Sequence, residues 1–190
     1  MLNLVEHPCK SCGLLEIVDA DGKCGSCSPE VFRAARLAKQ KMVKDWLDIA
    51  GLQYVSYDRR LEDARACELY RRPDFLFDCG THFAVLEVDE HQHKGVSCEV
   101  ARMVNITGAL GLPTVFVRLN PDGYRPAGGA GRQASKNKRR DELLRVLRYH
   151  MEELRSACGD SDTGAWVTEL YYDGDDPATH GQLRAVLRCE

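Results

Sequence analysis

The sequence predicts an α/β fold in which a small mixed β-sheet is flanked by helices and preceded by a small cysteine-rich module. Three apolar runs bounded by turn residues, at 74–78, 83–89 and 114–119, are typical of buried strands. The stretch 98–110, which separates the second run from the third, has apolar residues at helical spacing. Such a helix crosses over the sheet and brings the third strand alongside the second, in parallel and with right-handed sense.

The composition excludes several classes of protein. The chain has 190 residues, of which 44% are hydrophobic and 29% charged, and these values exclude a wholly disordered or collagen-like chain. With a formal net charge of -3, any nucleic acid would have to be held by local basic patches rather than by the whole chain. No apolar run reaches about 18 residues, and the N-terminus lacks the apolar stretch of a secretory signal. We therefore expect an intracellular protein, cytoplasmic or nuclear, that is neither secreted nor bound to a membrane.

Four of the nine cysteines lie in the first 27 residues as two CxxC pairs separated by eleven residues. The pairs are Cys9 with Cys12 and Cys24 with Cys27. Two pairs at this separation can place four thiolates around one tetrahedral Zn²⁺ in a closed, structural site. The odd total of cysteines argues against a disulfide framework and for a reducing compartment. We predict a zinc module over 1–28 followed by an α/β domain over 29–190; reactive thiols or two disulfides are the alternatives.

The residues around the CxxC pairs predict a hairpin and then a helix. Asp21-Gly22 is typical of a turn, and metal binding would supply the folding free energy of so short a segment. Ser28 can cap the following helix and Gly51 can close it. One face of this helix is a basic stripe, which is either a solvated face or a contact for phosphates. The stripe consists of Arg33, Arg36, Lys39, Lys41 and Lys44.

The remaining segments carry weaker signals. We expect a short strand over 52–57, a long helix over 141–157, a strand over 165–172 and a last helix over 177–188. Between the sheet core and the long helix, residues 125–140 are glycine-rich and then basic, which predicts a flexible loop that could grip a nucleic-acid backbone. Its basic residues are Arg132, Lys136, Lys138, Arg139 and Arg140.

Carboxylates at strand ends are the main chemical signal. Asp74 opens one strand, while Glu87 and Asp89 close the next and, being two residues apart, point to the same face. Converging carboxylates repel one another unless a cation lies among them, and Mg²⁺ prefers such oxygen ligands. His91 and His93 follow directly, and a histidine beside a metal-bound water or a phosphate can transfer protons. This pattern favours metal-assisted phosphodiester hydrolysis, with solvated strand-end charges as the alternative.

Four segments within residues 52–122 resemble the core of the PD-(D/E)XK, or restriction-endonuclease-like, superfamily. They are Arg72-Pro73-Asp74-Phe75, the run LEVDEHQH over 86–93, Glu99-x-x-Arg102, and the run GLPTVFVR over 111–118. The similarity is to the branch that contains very-short-patch-repair endonucleases and related homing endonucleases. In that branch an RPDF strand precedes a strand ending in Glu-x-Asp with a nearby histidine, and a helix then leads into a final strand.

The resemblance implies a Mg²⁺- or Mn²⁺-dependent endonuclease whose partner is nucleic acid, in the first place double-stranded DNA. It implies Asp74 as the principal metal ligand and Glu87 with Asp89 as the second metal-binding pair. His93 would be the acid/base or phosphate contact. Arg102 either pairs with Glu99 on its own helix or faces the acidic cluster or a phosphate.

The chain departs from the family pattern in that Asp89 stands where the motif usually has lysine, residues 90–96 contain no aromatic side chain, and the cysteine pairs precede the catalytic domain. An alternative function therefore stays open: a catalytically inactive nuclease-fold zinc protein that binds nucleic acid or serves as a structural component of an assembly. The sequence leaves the oligomeric state open.

Overall fold

The computed structural model describes residues 6–24, 26–31, 37–61, 72–90, 96–127, 133–158, 164–175 and 181–187. The chain divides into two compact units, Met1–Lys44 and Asp45–Glu190. The predicted sites at His91, His93 and Arg132, and the predicted stripe residues Arg33 and Arg36, lie outside the described residues.

In the first unit, strands β1 (Glu6–Pro8) and β2 (Leu15–Ile17) pair antiparallel. Beyond β2 the chain turns back, and Val18 forms an antiparallel bridge with Cys24. The N–H of Gly22 donates to the carbonyl of Asp19 at 3.0 Å, and Gly22 has a φ of 78°. A Cβ at Gly22 would lie 2.7 Å from Cε of the flexible Lys10 side chain, which can move away, so the positive φ is what favours glycine here. The predicted turn is confirmed.

Helix α1 (Ala38–Ile49) continues from the first unit into the second and ends where the sequence predicts. Gly51 has a φ of 71°. Its N–H bonds to the Asp48 carbonyl, and the N–H of Leu52 bonds to the Leu47 carbonyl. This pair of hydrogen bonds is the Schellman motif, which satisfies the last carbonyls of a helix.

The second unit is built on a six-stranded mixed sheet flanked by helices, as the sequence predicts. In spatial order the strands are β3 (Ser56–Tyr57), β4 (Phe75–Asp78), β5 (Phe83–Val88), β6 (Thr114–Leu119), β7 (Ala165–Leu170) and β8 (Arg184–Leu187). Strands β3, β4 and β5 form an antiparallel meander, β5, β6 and β7 run parallel, and β8 is antiparallel to β7. The parallel step from β5 to β6 requires the crossover helix that the sequence predicts.

Helix α2 (Val96–Leu110) makes this crossover and contacts β6, β7 and β8. Its residues Met103 and Ile106 pack in one buried cluster with Val85, Phe116 and Val167. These three strand residues belong to one face of the sheet, since β5, β6 and β7 pair in register. Glu87, two residues beyond Val85, therefore faces the same helix.

Helix α3 (Lys136–Cys158) lies against β5 and β6. Its apolar stripe, with Leu143 and Leu147 fully buried, matches the predicted pattern. The helix begins earlier than predicted, because Ser135 caps it and its hydroxyl accepts the N–H of Lys138 at 3.2 Å. The predicted flexible loop 125–140 is therefore helical from residue 136 onward.

Two other predicted elements differ from the structure. The strand expected over 52–57 comprises only Ser56–Tyr57. The prediction of a helix over 177–188 is wrong, since Arg184–Leu187 is a strand that pairs with β7. Within the described ranges, no helix is both long enough and apolar enough to span a bilayer.

Candidate functional site

Asp74 and Glu87 lie side by side at the ends of neighbouring strands. Phe75 pairs with Leu86, and this antiparallel register places Asp74 across from Glu87. The N–H of Val88 donates to Asp74 Oδ2 at 2.7 Å and fixes the Asp74 side chain against β5. The structure thus brings together the first two predicted carboxylates.

Glu87 is almost completely buried, with 4% of its surface exposed. Its Oε2 accepts a hydrogen bond from Arg102 Nη2 at 2.9 Å, while its Oε1 is buried with no hydrogen-bond partner among the described residues. Burial raises the pKa of Glu87 well above its usual value; Arg102 opposes this shift, and the charges of Asp74 and Asp89 add to it. The negative charge of the Glu87 carboxylate is therefore only partly compensated by Arg102.

Asp74 experiences the same environment. Burial raises its pKa to about 6, against the N–H of Val88 and the charge of Arg102, which lower it, and repulsion from Asp89 contributes to the increase. Two adjacent carboxyl groups with raised pKa values would be stabilised in their charged forms by a nearby cation. Their oxygens are the donor type that Mg²⁺ and Mn²⁺ prefer.

Asp89 differs from the expectation that it joins this pair. Its Oδ2 accepts a hydrogen bond from Arg118 Nε at 2.6 Å and another from the hydroxyl of Tyr172. Arg118 stacks over the Tyr172 ring at 5.7 Å and also lies 3.2 Å from Glu99 and 3.6 Å from Glu169. Asp89 is therefore the anchor of a buried ion network, and its position is explained by protein contacts without a metal.

Arg102 projects from α2 toward the carboxylate pair. Its Nη2 donates to Glu87 and, at 3.0 Å, to the carbonyl of Arg72, while its Nη1 lies 4.0 Å from Glu99. Of the alternatives that the sequence leaves open, the structure shows the one in which Arg102 faces the acidic cluster. Its contact with Glu99 is the longer and weaker of the two ion pairs.

The basic residues predicted to contact nucleic acid divide into two groups. Lys136 and Lys138 are exposed in the first turn of α3, and Arg140 is half-buried and pairs with Asp141 at 2.8 Å. The first turn of a helix carries partial positive charge, so basic residues there are unfavourable unless an anion is near. Lys136 and Arg140, four residues apart, lie on one side of the helix, and Lys138 lies on another side.

Arg139 does not belong to that surface. It is buried, and its Nη1 donates to the carbonyls of Asn120 and Asp122 at 2.8 and 2.6 Å. Its guanidinium also lies 5.3 Å from the ring of Tyr124 and 5.0 Å from that of Tyr171. The expectation that Arg139 contacts nucleic acid is therefore corrected: it fastens the segment after β6 to the start of α3.

In the first unit the four cysteines converge, and their sulfur atoms all lie within 4.8 Å of one another. They are Cys9, Cys12, Cys24 and Cys27. Among the described residues they are the one group of three or more metal-type donors this close together. None is in a disulfide, so that alternative is excluded in this structure. The predicted convergence is confirmed, and these sulfurs could hold a metal ion.

The backbone around the cysteines prepares their sulfurs for negative charge. The N–H groups of Cys24 and Ser11 donate to Cys9 Sγ at 3.3 and 3.4 Å. Backbone hydrogen bonds from Cys24, Cys12 and Ser11 lower the pKa of Cys9 to about 6. The neighbouring thiols of Cys24 and Cys12 raise the pKa of Cys27 to about 12. A soft divalent cation removes this mutual repulsion, because each thiolate then ligates positive charge.

Sequence reasoning missed Arg118 and Tyr172. Arg118 is the single charged residue in the buried strand TVFVRL, and an arginine in such a strand requires a buried anionic partner. That signal was available in the sequence. No local signal marks Tyr172, which is 83 residues from the carboxylate it contacts.

Together, the fold and these sites define an α/β protein with a paired-carboxylate site at one end of a mixed sheet and a separate four-cysteine site of metal-binding type. No protein-family model, curated protein or solved structure matches the chain.

Proposed function

We propose that the protein is a divalent-metal-dependent endonuclease that hydrolyses phosphodiester bonds of DNA and carries a zinc-stabilised N-terminal module. One observation carries the proposal. Asp74 and Glu87 are adjacent, both have raised pKa values, and Glu87 Oε1 is buried without a hydrogen-bond partner among the described residues. A protein interior seldom retains such a group unless it has a use for it.

The order of elements supports the same proposal. Strand β4 follows Asp74, β5 ends at Glu87 and Asp89, α2 carries Glu99 and Arg102, and β6 completes the parallel pair. This is the order of the segments that resemble the restriction-endonuclease-like core.

The donor set fits the proposed metal. Asp74 and Glu87 would hold Mg²⁺ or Mn²⁺ through carboxylate oxygens. When bound, such an ion polarises a phosphodiester and lowers the pKa of a bound water. Val88 orients Asp74 through its backbone N–H, and burial of Glu87 excludes water from one side of the site. His93, which the resemblance suggests for proton transfer, is outside the described residues.

Zinc is the metal we propose for the cysteine cluster. Four sulfurs and no open position suit a structural Zn²⁺ site, and thiolates select zinc over Mg²⁺ or Mn²⁺. DNA would be held through its phosphates, by Lys136, Lys138 and Arg140 at the start of α3.

Plasmid cleavage tests the nuclease proposal. Zinc-loaded full-length protein is incubated with supercoiled plasmid and Mg²⁺ or Mn²⁺, beside Asp74→Asn and Glu87→Gln. Asp78→Asn is the matched control, since Asp78 is exposed at the opposite end of the same strand as Asp74. The wild type and Asp78→Asn should cleave, and the two site variants should not. Cleavage that survives in both site variants, or no cleavage by folded wild type, would contradict the proposal.

A nuclease fold that binds nucleic acid without cleaving it is the second candidate, and one observation favours it. The position that usually holds lysine is Asp89, whose charge is neutralised by Arg118 and which also accepts a hydrogen bond from the hydroxyl of Tyr172. Under this candidate Asp74→Asn should stabilise the metal-free protein, because it removes a buried repulsive charge, and should leave DNA binding unchanged in a fluorescence-anisotropy titration.

A further inference from the structure

The ion pair between Arg102 and Glu87 is incomplete. Arginine and a buried carboxylate usually form two parallel hydrogen bonds. Here a single guanidinium nitrogen, Nη2, is shared between Glu87 Oε2 and the carbonyl of Arg72, and Glu87 Oε1 receives no hydrogen bond from the described residues. Arg102 therefore neutralises the charge of Glu87 without satisfying its second oxygen.

Glu87, which carries the unsatisfied oxygen, is across from Asp74 in the strand register. A cation that reached both carboxylates would lie close to the guanidinium of Arg102. Two positive charges at that separation repel each other strongly in a buried site, because Glu87 is 4% exposed. Each positive charge therefore weakens the attraction of the other to Glu87, so that Arg102 and a divalent cation compete for this carboxylate.

Arg102 has a second acidic partner within reach. Its Nη1 lies 4.0 Å from Glu99 on the same helix, and 20% of its side chain is exposed, so the guanidinium has room to move. A small rotation could strengthen the Glu99 contact as the Glu87 contact is lost. Glu99 is then shared with Arg118, which lies 3.2 Å from the same oxygen.

We propose that Arg102 is the counter-ion of Glu87 in the metal-free protein and that a divalent cation displaces it toward Glu99. The proposal rests on the proposed function, because it assumes that Asp74 and Glu87 bind such a cation. It adds that Arg102, a residue of the site itself, competes with the metal ion for Glu87. Arg102 keeps the buried carboxylate compensated before metal arrives, and it weakens metal binding by the same interaction.

The test is Mn²⁺ binding, measured by isothermal titration calorimetry on zinc-saturated full-length protein, which keeps the cysteine site filled. The informative variant is Arg102→Gln, whose shorter and neutral amide removes the positive charge beside Glu87. Arg145→Gln is the matched control, since the Arg145 side chain is exposed and pairs with Glu142 on the same helix, α3. Glu87→Gln should abolish the binding and so assign the bound Mn²⁺ to this site.

Arg102→Gln should bind Mn²⁺ at least about 5-fold more tightly than the wild type, while Arg145→Gln should bind like the wild type. If Arg102→Gln is too unstable for calorimetry, thermal unfolding over a Mn²⁺ series replaces it. Mn²⁺ should then raise the Tm of Arg102→Gln more than that of the wild type.

Equal or weaker Mn²⁺ binding by Arg102→Gln, with no larger rise in Tm, would overturn the competitor role and leave the nuclease proposal standing. Absence of Mn²⁺ binding in both the wild type and Arg102→Gln would overturn both proposals together.

Discussion

When the pH falls to 5, protonation of the single side chain of His150 should make a destabilising contribution to the second unit. This residue is on α3, is 2% exposed, and has no hydrogen-bond partner for either ring nitrogen among the described residues. Burial lowers its pKa to about 4, and the neighbouring charges of His82 and Arg145 act in the same direction. His82 approaches from the β4–β5 turn, where its Nε2 contacts the carbonyl oxygen of His150 at 2.9 Å. The folded protein therefore keeps His150 neutral.

The size of the effect follows from linkage. The folded pKa of about 4 is below the ordinary value of 6.5, so the unfolded chain binds the proton first. The stability from a neutral His150 is complete above pH 6.5 and is lost as the pH falls from there through 4. At pH 5 the loss is about 2 kcal/mol, and below pH 4 it approaches about 3 kcal/mol. Asp74 and Glu87 act in the opposite direction, because their raised pKa values favour the protonated fold as the pH falls.

The assay must therefore separate His150 from the carboxyl groups, and a variant does so. His150→Phe keeps an aromatic ring of similar size and removes the titration. Urea unfolding at pH 7.5 and 5.0 can be followed by the fluorescence of Trp46 and Trp166, the only two tryptophans, both in the second unit. Between these pH values the wild type should lose about 2 kcal/mol more than His150→Phe. Equal losses of unfolding free energy in the wild type and His150→Phe would refute the reasoning. His7 is exposed, so the control variant His7→Gln should behave like the wild type.

Two further predictions concern the cysteine cluster and the ion network. Metal analysis of the purified chain should find one zinc ion. The variant Cys24→Ser should lose this zinc, and the control Cys79→Ser should keep it. Zinc that is retained by Cys24→Ser would contradict the assignment. Arg118→Met should lower the free energy of unfolding by about 3–5 kcal/mol, since the Asp89 carboxylate stays buried without its cation. Adding Asp89→Asn should restore part of that loss in urea unfolding, and an unchanged stability of Arg118→Met would show that the pair contributes nothing.

The sheet core could be predicted from the sequence because its strands are continuous apolar runs, which are typical of strands buried on both faces. The crossover helix followed from its apolar spacing, and the closure of α1 followed from Gly51. Asp74 and Glu87 could be paired because both are at strand ends and the strands are joined by a short turn. In that turn Gly80, with a φ of 78°, donates its N–H to Asp78.

The predictions of secondary structure that were wrong concern segments in which tertiary contacts override the local sequence pattern. Residues 183–187 have apolar spacing compatible with a helix, but the open edge of β7 supplies hydrogen-bond partners, and Arg184–Leu187 pairs with it as β8. Residues 136–140 contain four basic side chains and suggested a solvated loop. Ser135 caps a helix there, and buried Arg139 holds its start to the segment after β6.

Strand register explains why the charged network could not be found by reading segments one at a time. Glu87 pairs with Arg118 across β5 and β6, and Arg118 pairs with Glu169 across β6 and β7. The three side chains form one row of alternating charge on the face covered by α2. A slip of one residue in β6 would turn Arg118 to the other face and remove it from its acidic partners Asp89, Glu99 and Glu169. The row therefore favours one register of β5, β6 and β7, and the separate antiparallel register of β4 and β5 holds Glu87 opposite Asp74.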